Sequence, residues 1–99
     1  RPNGRLAVVP KEKVAAGLGV RSRRPGDRFQ PTKAGHRKLQ DLFVDRKVPR
    51  TERDRVPIVT DADGRIVWVA GHALDQDFQV TDPVQAVVIL RLKGVGGSC

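Results

Sequence analysis

Residues Pro57–Ala70, PIVTDADGRIVWVA, decide how the chain folds. Two apolar runs, Pro57–Thr60 and Arg65–Ala70, flank Asp61-Ala62-Asp63-Gly64, where Gly64 supplies the positive φ that a tight hairpin turn requires. The returning run sets Ile66, Trp68 and Ala70 against Val67 and Val69, so both of its faces are apolar. Such a strand belongs at the centre of a sheet covered on both sides. The DADG run lacks the third ligand before the glycine and the distal glutamate of a calcium loop, so it predicts a turn and not a metal site.

Upstream of this hairpin, Leu39, Leu42 and Phe43 recur at i, i+3 and i+4. That spacing predicts an amphipathic helix of about three turns, bracketed by Gly35 and by Val48-Pro49. Thr51 is placed to cap a second, shorter helix running through Asp54, which Pro57 prevents from continuing. Pro25-Gly26-Asp27 predicts a tight turn, after which Arg28 and Phe29 resume an extended path. Leu18–Arg23 alternates, with Leu18, Val20 and Ser22 on one side and Gly19, Arg21 and Arg23 on the other, so two guanidinium groups would stand on an open face. Gln30–Gly35 has no period and fits either a phosphate cradle or an ordinary connection. A helix opening on His36, Arg37 and Lys38 could aim free N–H groups and cations at a phosphate. Leu6–Val9, closed by Pro10, predicts a first strand, followed by a helical turn or loop over Lys11–Ala16. Val84–Leu92 predicts the last strand, beyond a loop carrying Asp75, Asp77 and Asp82 that is expected to be solvated surface.

The 99 residues allow one small domain, and an apolar content of 38% argues for a folded globule over a disordered basic tail. Phe29, Phe43, Phe78 and Trp68 are the only aromatic residues and are expected in the core. Arg21–Arg55 holds twelve Lys/Arg against five acids, whereas the rest of the chain holds seven against six. Nearly all of the formal charge of +8 therefore sits in about a third of the chain, which points to a polyanionic partner. The twelve candidate contacts are Arg21, Arg23, Arg24, Arg28, Lys33, Arg37, Lys38, Arg46, Lys47, Arg50, Arg53 and Arg55.

Catalytic constellations are missing. No phosphate-binding P-loop, dinucleotide fingerprint or nucleophile elbow occurs, and His36, His72 and Cys99 lack metal-ligand spacing. His72 is expected to be structural or on the surface. A single thiol excludes an internal disulfide and suits a reducing cytoplasm, and no apolar run is long enough to suggest a membrane segment. The chain starts without Met and is expected to be a domain of something longer, and the closing GVGGSC is expected to be a flexible tail.

Three segments, VRSRRPGDRFQP, KLQDLFVDRKVPRTERDRVPIV and GRIVWVAGH, in that order and spacing, resemble the C-terminal domain of bacterial tRNA(Ile)-lysidine synthetase. The resemblance runs from about Leu18 to His72 and more loosely into the last strand. It implies an α+β fold, a small compact sandwich-like mixed β-sheet with one main amphipathic helix and a short second one, akin to a domain of the phenylalanyl-tRNA synthetase β subunit. It also implies an appended tRNA-binding domain that holds the acceptor stem of isoleucine tRNA. A separate N-terminal catalytic domain, absent from this chain, would use ATP and lysine to convert the wobble cytidine to lysidine. The domain itself is then not an enzyme and needs no cofactor. Its partners would be tRNA, its own catalytic domain and a second copy of itself as a candidate. Gly26, Asp27, Leu39, Leu42, Phe43, Pro49, Trp68 and Gly71 take structural roles, with Asp27 fixing the turn and pairing with a neighbouring Arg. Departures are the shortened Pro31–Gly35 run and Ala73 after Gly71-His72. On this view 1–17 is a strand and linker, 18–93 the tRNA-binding domain and 94–99 the tail. A rival expectation makes the chain an interdomain module whose basic face docks on an acidic protein surface.

Overall fold

In the computed structural model, which describes residues 6–32 and 35–92, the hairpin around Gly64 lies at the middle of a four-stranded sheet. Its strands are β2 (Leu18–Arg21), β5 (Ile58–Asp61), β6 (Ile66–Val69) and β7 (Ala73–Leu74), ordered β2-β5-β6-β7 with every pairing antiparallel. The turn is closed by Asp61, whose Oδ1 accepts from the backbone N–H groups of Asp63 and Arg65 at 2.9 Å each. Gly64 has φ 87°, in the left-handed region that glycine enters without steric cost. All four residues of β6 are buried, as its two apolar faces require.

Each face of this sheet carries a cover. On one side lie β1 (Leu6–Pro10) and β8 (Val87–Arg91), paired antiparallel from Leu6↔Arg91 to Pro10↔Val87. Ala7 and Val9 of β1 meet Val59, Val67, Trp68 and Phe78 in one apolar cluster, with Leu90 against it. Strand β1, expected from Leu6–Val9, is therefore packed into the same body as the sheet. On the other side lie β3 (Arg28–Thr32), β4 (Gly35–Lys38) and α1 (Leu39–Asp45). Phe29, Leu39, Leu42 and Phe43 pack there against Ile58, Ile66 and Val69. Phe43 is fully shielded from solvent, and its truncation to Ala would cost about 3–5 kcal/mol. A short helix, α2 (Arg50–Arg53), completes the α+β architecture, and all four aromatic residues lie in the core.

Several local expectations give way. Gly35–Lys38 is not the first turn of the helix. It pairs with β3 through Arg28↔Lys38, Phe29↔Arg37 and Thr32↔Gly35, satisfying its backbone groups in a ladder, and the helix opens only at Leu39, the first residue with a core contact. Gln30–Thr32 and Gly35 are accordingly strand residues and not irregular loop, and Lys33 lies outside the described residues. In β2 the alternation holds but its sense is reversed. Leu18 and Val20 are exposed, while Gly19 and Arg21 turn inward. Gly19 sits opposite Thr60, whose Oγ1 would lie 3.3 Å from any added Cβ, so that side admits little bulk. Helix α2 takes Pro49, and not Thr51, at its N-terminal boundary and has no side-chain cap. The last strand begins at Val87 and pairs with β1, leaving Val84 exposed. The loop after Gly71, where φ is 84°, holds the unforeseen β7 and a buried carboxylate. Asp75 accepts from the N–H groups of Gln30 and Asp77 at 2.9 Å each, so it fastens β3 to a 3-10 turn over Gln76–Phe78. No described helix is long and apolar enough to cross a membrane. Among the described residues no cluster of His, Cys, Asp or Glu is placed to hold a metal ion. The GVGGSC tail lies outside the described residues.

Candidate nucleic-acid interface

The basic region is shaped by one carboxylate. Asp27 closes the arch over Arg24–Asp27: its N–H donates to the Arg24 carbonyl at 3.1 Å, and its Oδ2 accepts from the Arg24 N–H at 2.7 Å. Gly26, at φ 84°, makes the bend. The two Arg21 terminal nitrogens each donate to one Asp27 oxygen at 3.0 Å, a bidentate pair that is largely shielded from water. Burial pushes the Asp27 carboxyl up, but the Arg21 and Arg24 hydrogen bonds and charges outweigh it and leave the group below its ordinary value. The Asp27 carbonyl accepts from the Leu39 N–H at 2.9 Å, which joins the arch to the start of α1.

A second pair ties this arch to distant sequence. Arg23 Nε donates to Asp54 Oδ1 at 2.8 Å, just beyond α2. The arch is thereby tied to the end of α2. Arg23, Arg24 and Lys38, with Gly26 and Gln40, line a shallow depression of about 130 Å³. Arg28, His36 and Arg65 line the next, of about 160 Å³, and Asp27 stands in the wall of both.

Solvent exposure divides the eleven candidates among the described residues. Arg21, Arg23 and Arg37 are half-buried and bound to Asp27, Asp54 and Asp45. Arg53, also half-buried, donates from Nε to the Val48 carbonyl at 2.9 Å and so supports the link between the helices. These four hold the protein's own shape. Arg24, Arg28, Lys38, Arg46, Lys47, Arg50 and Arg55 are exposed, and none enters an ion pair among the described residues. Seven cations left without carboxylates repel one another, and a row of phosphates relieves that repulsion.

Lys47 has a role the sequence did not disclose. It follows α1 with φ 57°, the one positive value outside glycine among the described residues. Its N–H donates to the Val44 carbonyl at 3.0 Å and that of Val48 to the Phe43 carbonyl at 2.9 Å, the two bonds of a Schellman ending. Arg65 was also missed, lying outside the basic stretch. It pairs with Asp77 at 2.7 Å and sits 5.3 Å over the Phe78 ring. His72 stacks edge-on against Phe43 at 5.9 Å, and its Nδ1 is buried with no partner among the described residues. Burial, then the charge of Arg46, lowers its pKa. These contacts set its ring against the core. Of the residues given structural roles, Leu39, Leu42, Phe43 and Trp68 are buried, Gly26 and Gly71 take positive φ, and Pro49 leads into α2.

Residues 18–91 match the family model described as the TilS substrate C-terminal domain. A bifunctional TilS/HprT protein of Listeria monocytogenes is 38% identical over 100 residues, covering 97% of this chain and 15% of that protein. A tRNA(Ile)-lysidine synthase of Geobacillus kaustophilus is 52% identical over 65 residues, covering 65% of this chain and 14% of that one. The chain thus spans only a small part of the length of these curated relatives. A solved structure described as the crystal structure of TILS C-terminal domain superposes with a TM-score of 0.76 at 38% identity, covering 94% of this chain and 75% of that one.

Proposed function

The chain belongs to the TilS substrate C-terminal domain family, and from that premise we propose that it is a tRNA-holding domain whose exposed cations grip the acceptor stem of isoleucine tRNA. The lysidine-forming chemistry, with its ATP and lysine, then falls to a catalytic domain elsewhere in a longer cytoplasmic enzyme, and the domain contributes affinity and placement. The observation that carries this reading is the set of seven exposed cations that enter no ion pair among the described residues, beside an arch at Asp27 that Arg23 ties to Asp54.

A-form RNA hides its base edges in a deep, narrow major groove and displays phosphates and 2′-hydroxyls across a shallow minor groove. A platform of guanidinium and ammonium groups on a rigid arch and two short helices recognises that shape chiefly through the backbone, with one or two arginines left for base edges. Neutralising about five phosphates gives a log–log dependence of affinity on salt with slope around −3 to −5.

The test is a salt titration of the chain with a hairpin of the isoleucine-tRNA acceptor stem and with one whose base pairs are swapped, repeated with Arg50→Glu. Salt-steep binding that distinguishes the two stems and weakens about ten-fold in Arg50→Glu is the expected result. A slope near zero overturns the mechanism. No binding to either stem transfers the basic face to an acidic protein partner.

A further inference from the structure

Beyond the cationic surface lies a cleft of different chemistry. It measures about 310 Å³ and is lined by Gln30, Gln76, Gln79, Gln85, Thr81 and Lys13, with Glu12 and Asp77 also in its wall. That volume is at the lower end of the ~300–1,000 Å³ range of sites that enclose small-molecule-sized groups. Four carboxamides in one cleft form an array of paired donors and acceptors without charge. Two charged side chains of its wall are already engaged: Lys13 Nζ donates to the Asp77 backbone carbonyl, and Asp77 Oδ2 accepts from Arg65. Gln85 Oε1 is shut off from solvent and meets no donor among the described residues, so it is an unsatisfied acceptor beside the cleft.

The cleft adjoins the cationic surface. Its Gln30 donates from the backbone to Asp75, which also lines the depression holding Arg28, His36 and Arg65. The Arg65–Asp77 pair spans the same partition from the two sides. A strand passing over Arg28 and Arg65 therefore reaches the glutamines next. With Glu12 in its wall and its one lysine engaged, the cleft disfavours phosphate. Carboxamides of Gln bind the adjacent donor and acceptor on a base edge.

We propose that this glutamine-lined cleft receives one unpaired nucleobase from the single-stranded nucleotides that flank the duplex held on the cationic surface. The inference rests on the tRNA-holding reading for its partner and adds a site for a single-stranded segment. Recognition here is by hydrogen bonds to a splayed base, the mode by which proteins read RNA sequence outside helices.

Three RNAs separate the two ideas: a blunt hairpin, the same hairpin with a four-nucleotide extension at its 5′ or 3′ end, and the free four-nucleotide strand. Each is titrated into the 99-residue chain and into Gln76→Ala/Gln79→Ala, with the Gln side-chain amide resonances followed by NMR. The expected result is tighter binding of one extended hairpin than of the blunt one. The double variant should remove about five-fold of affinity for that extended hairpin alone, and the extension should shift the Gln30, Gln76 and Gln79 amide signals. Equal affinity for blunt and extended hairpins with unmoved amide signals overturns the cleft proposal while leaving the duplex reading intact. Binding and amide shifts with the free strand, but none with the blunt hairpin, support the cleft and overturn the duplex reading.

Discussion

The arch from Arg21 to Arg28 and the segment from Arg46 to Arg55 each carry a net charge of +3, yet they use their cations differently. In the arch, half of the guanidinium groups are bound to carboxylates, Arg21 to Asp27 within the arch and Arg23 to Asp54 across the surface. In the later segment Arg53 alone is engaged among the described residues, with a backbone carbonyl, and Arg46, Lys47, Arg50 and Arg55 are exposed. Equal charge in sequence therefore divides into a part that builds the surface and a part that presents it. The difference comes from geometry: Asp27 sits where a turn delivers it to Arg21, whereas among the described residues Glu52, on α2, reaches none of the cations on its own segment.

The sharpest way to break this contrast is to truncate one cation of each kind within the arch. Arg21→Ala leaves Asp27 half-buried without its bidentate partner, and the expected loss is about 2 kcal/mol, between the values for exposed and fully buried pairs. For a domain of this size that lowers Tm by roughly 10 °C. Arg24→Ala, by contrast, should leave Tm within about 2 °C and weaken RNA binding. Equal thermal shifts in the two variants, read by calorimetry, would erase the distinction.

A smaller effect of opposite sign is expected in the other segment. Lys47 holds a left-handed conformation that costs an L-residue about 1 kcal/mol relative to glycine, so Lys47→Gly should raise Tm by roughly 5 °C. The same change removes one presented cation and should make the salt slope shallower by about one. A variant that is both stabilised and weaker in RNA binding shows that presentation and stability are separable at this residue. Loss of stability would mean that the lysine side chain itself supports the helix ending.

The smallest effect is a pH dependence linking the segment to the core. His72 is held neutral by burial and by Arg46, with a folded pKa below its ordinary 6.5. The unfolded chain then binds the proton first. Stability from this group is complete above about 6.5 and is lost as pH falls through the lower folded value. Thermal unfolding between pH 7.5 and 5 should show that decline, and His72→Gln should flatten it. An unchanged profile in the variant assigns the decline to other groups.

Much of the scaffold is written locally. DADG between apolar runs gives the central hairpin, the two-sided apolarity of Ile66–Val69 gives its burial, and the spacing of Leu39, Leu42 and Phe43 gives the face of α1. The same periodicity misplaced the start of that helix. His36, Arg37 and Lys38 have no strong preference of their own, and partner strand β3 decided their conformation by offering a ladder. In β2 the alternation was legible but its direction was not. Which side faces inward depends on Thr60 opposite Gly19 and on Asp27 beyond Arg21. The candidate site followed suit: its charge was visible as a block, while the division among its cations was not.

Composition and spacing predicted one small folded unit with its charge gathered in about a third of its length, because apolar period, turn chemistry and charge count are properties of neighbours in sequence; the α+β class came from the resemblance of its motifs to a known family. Tertiary structure decided which cations face solvent, that Arg23 meets Asp54 across 31 residues, that β1 closes on β8, and that four glutamines share one cleft. Each of these depends on distances between residues remote in the chain, and such distances exist only once the core has set the elements in place.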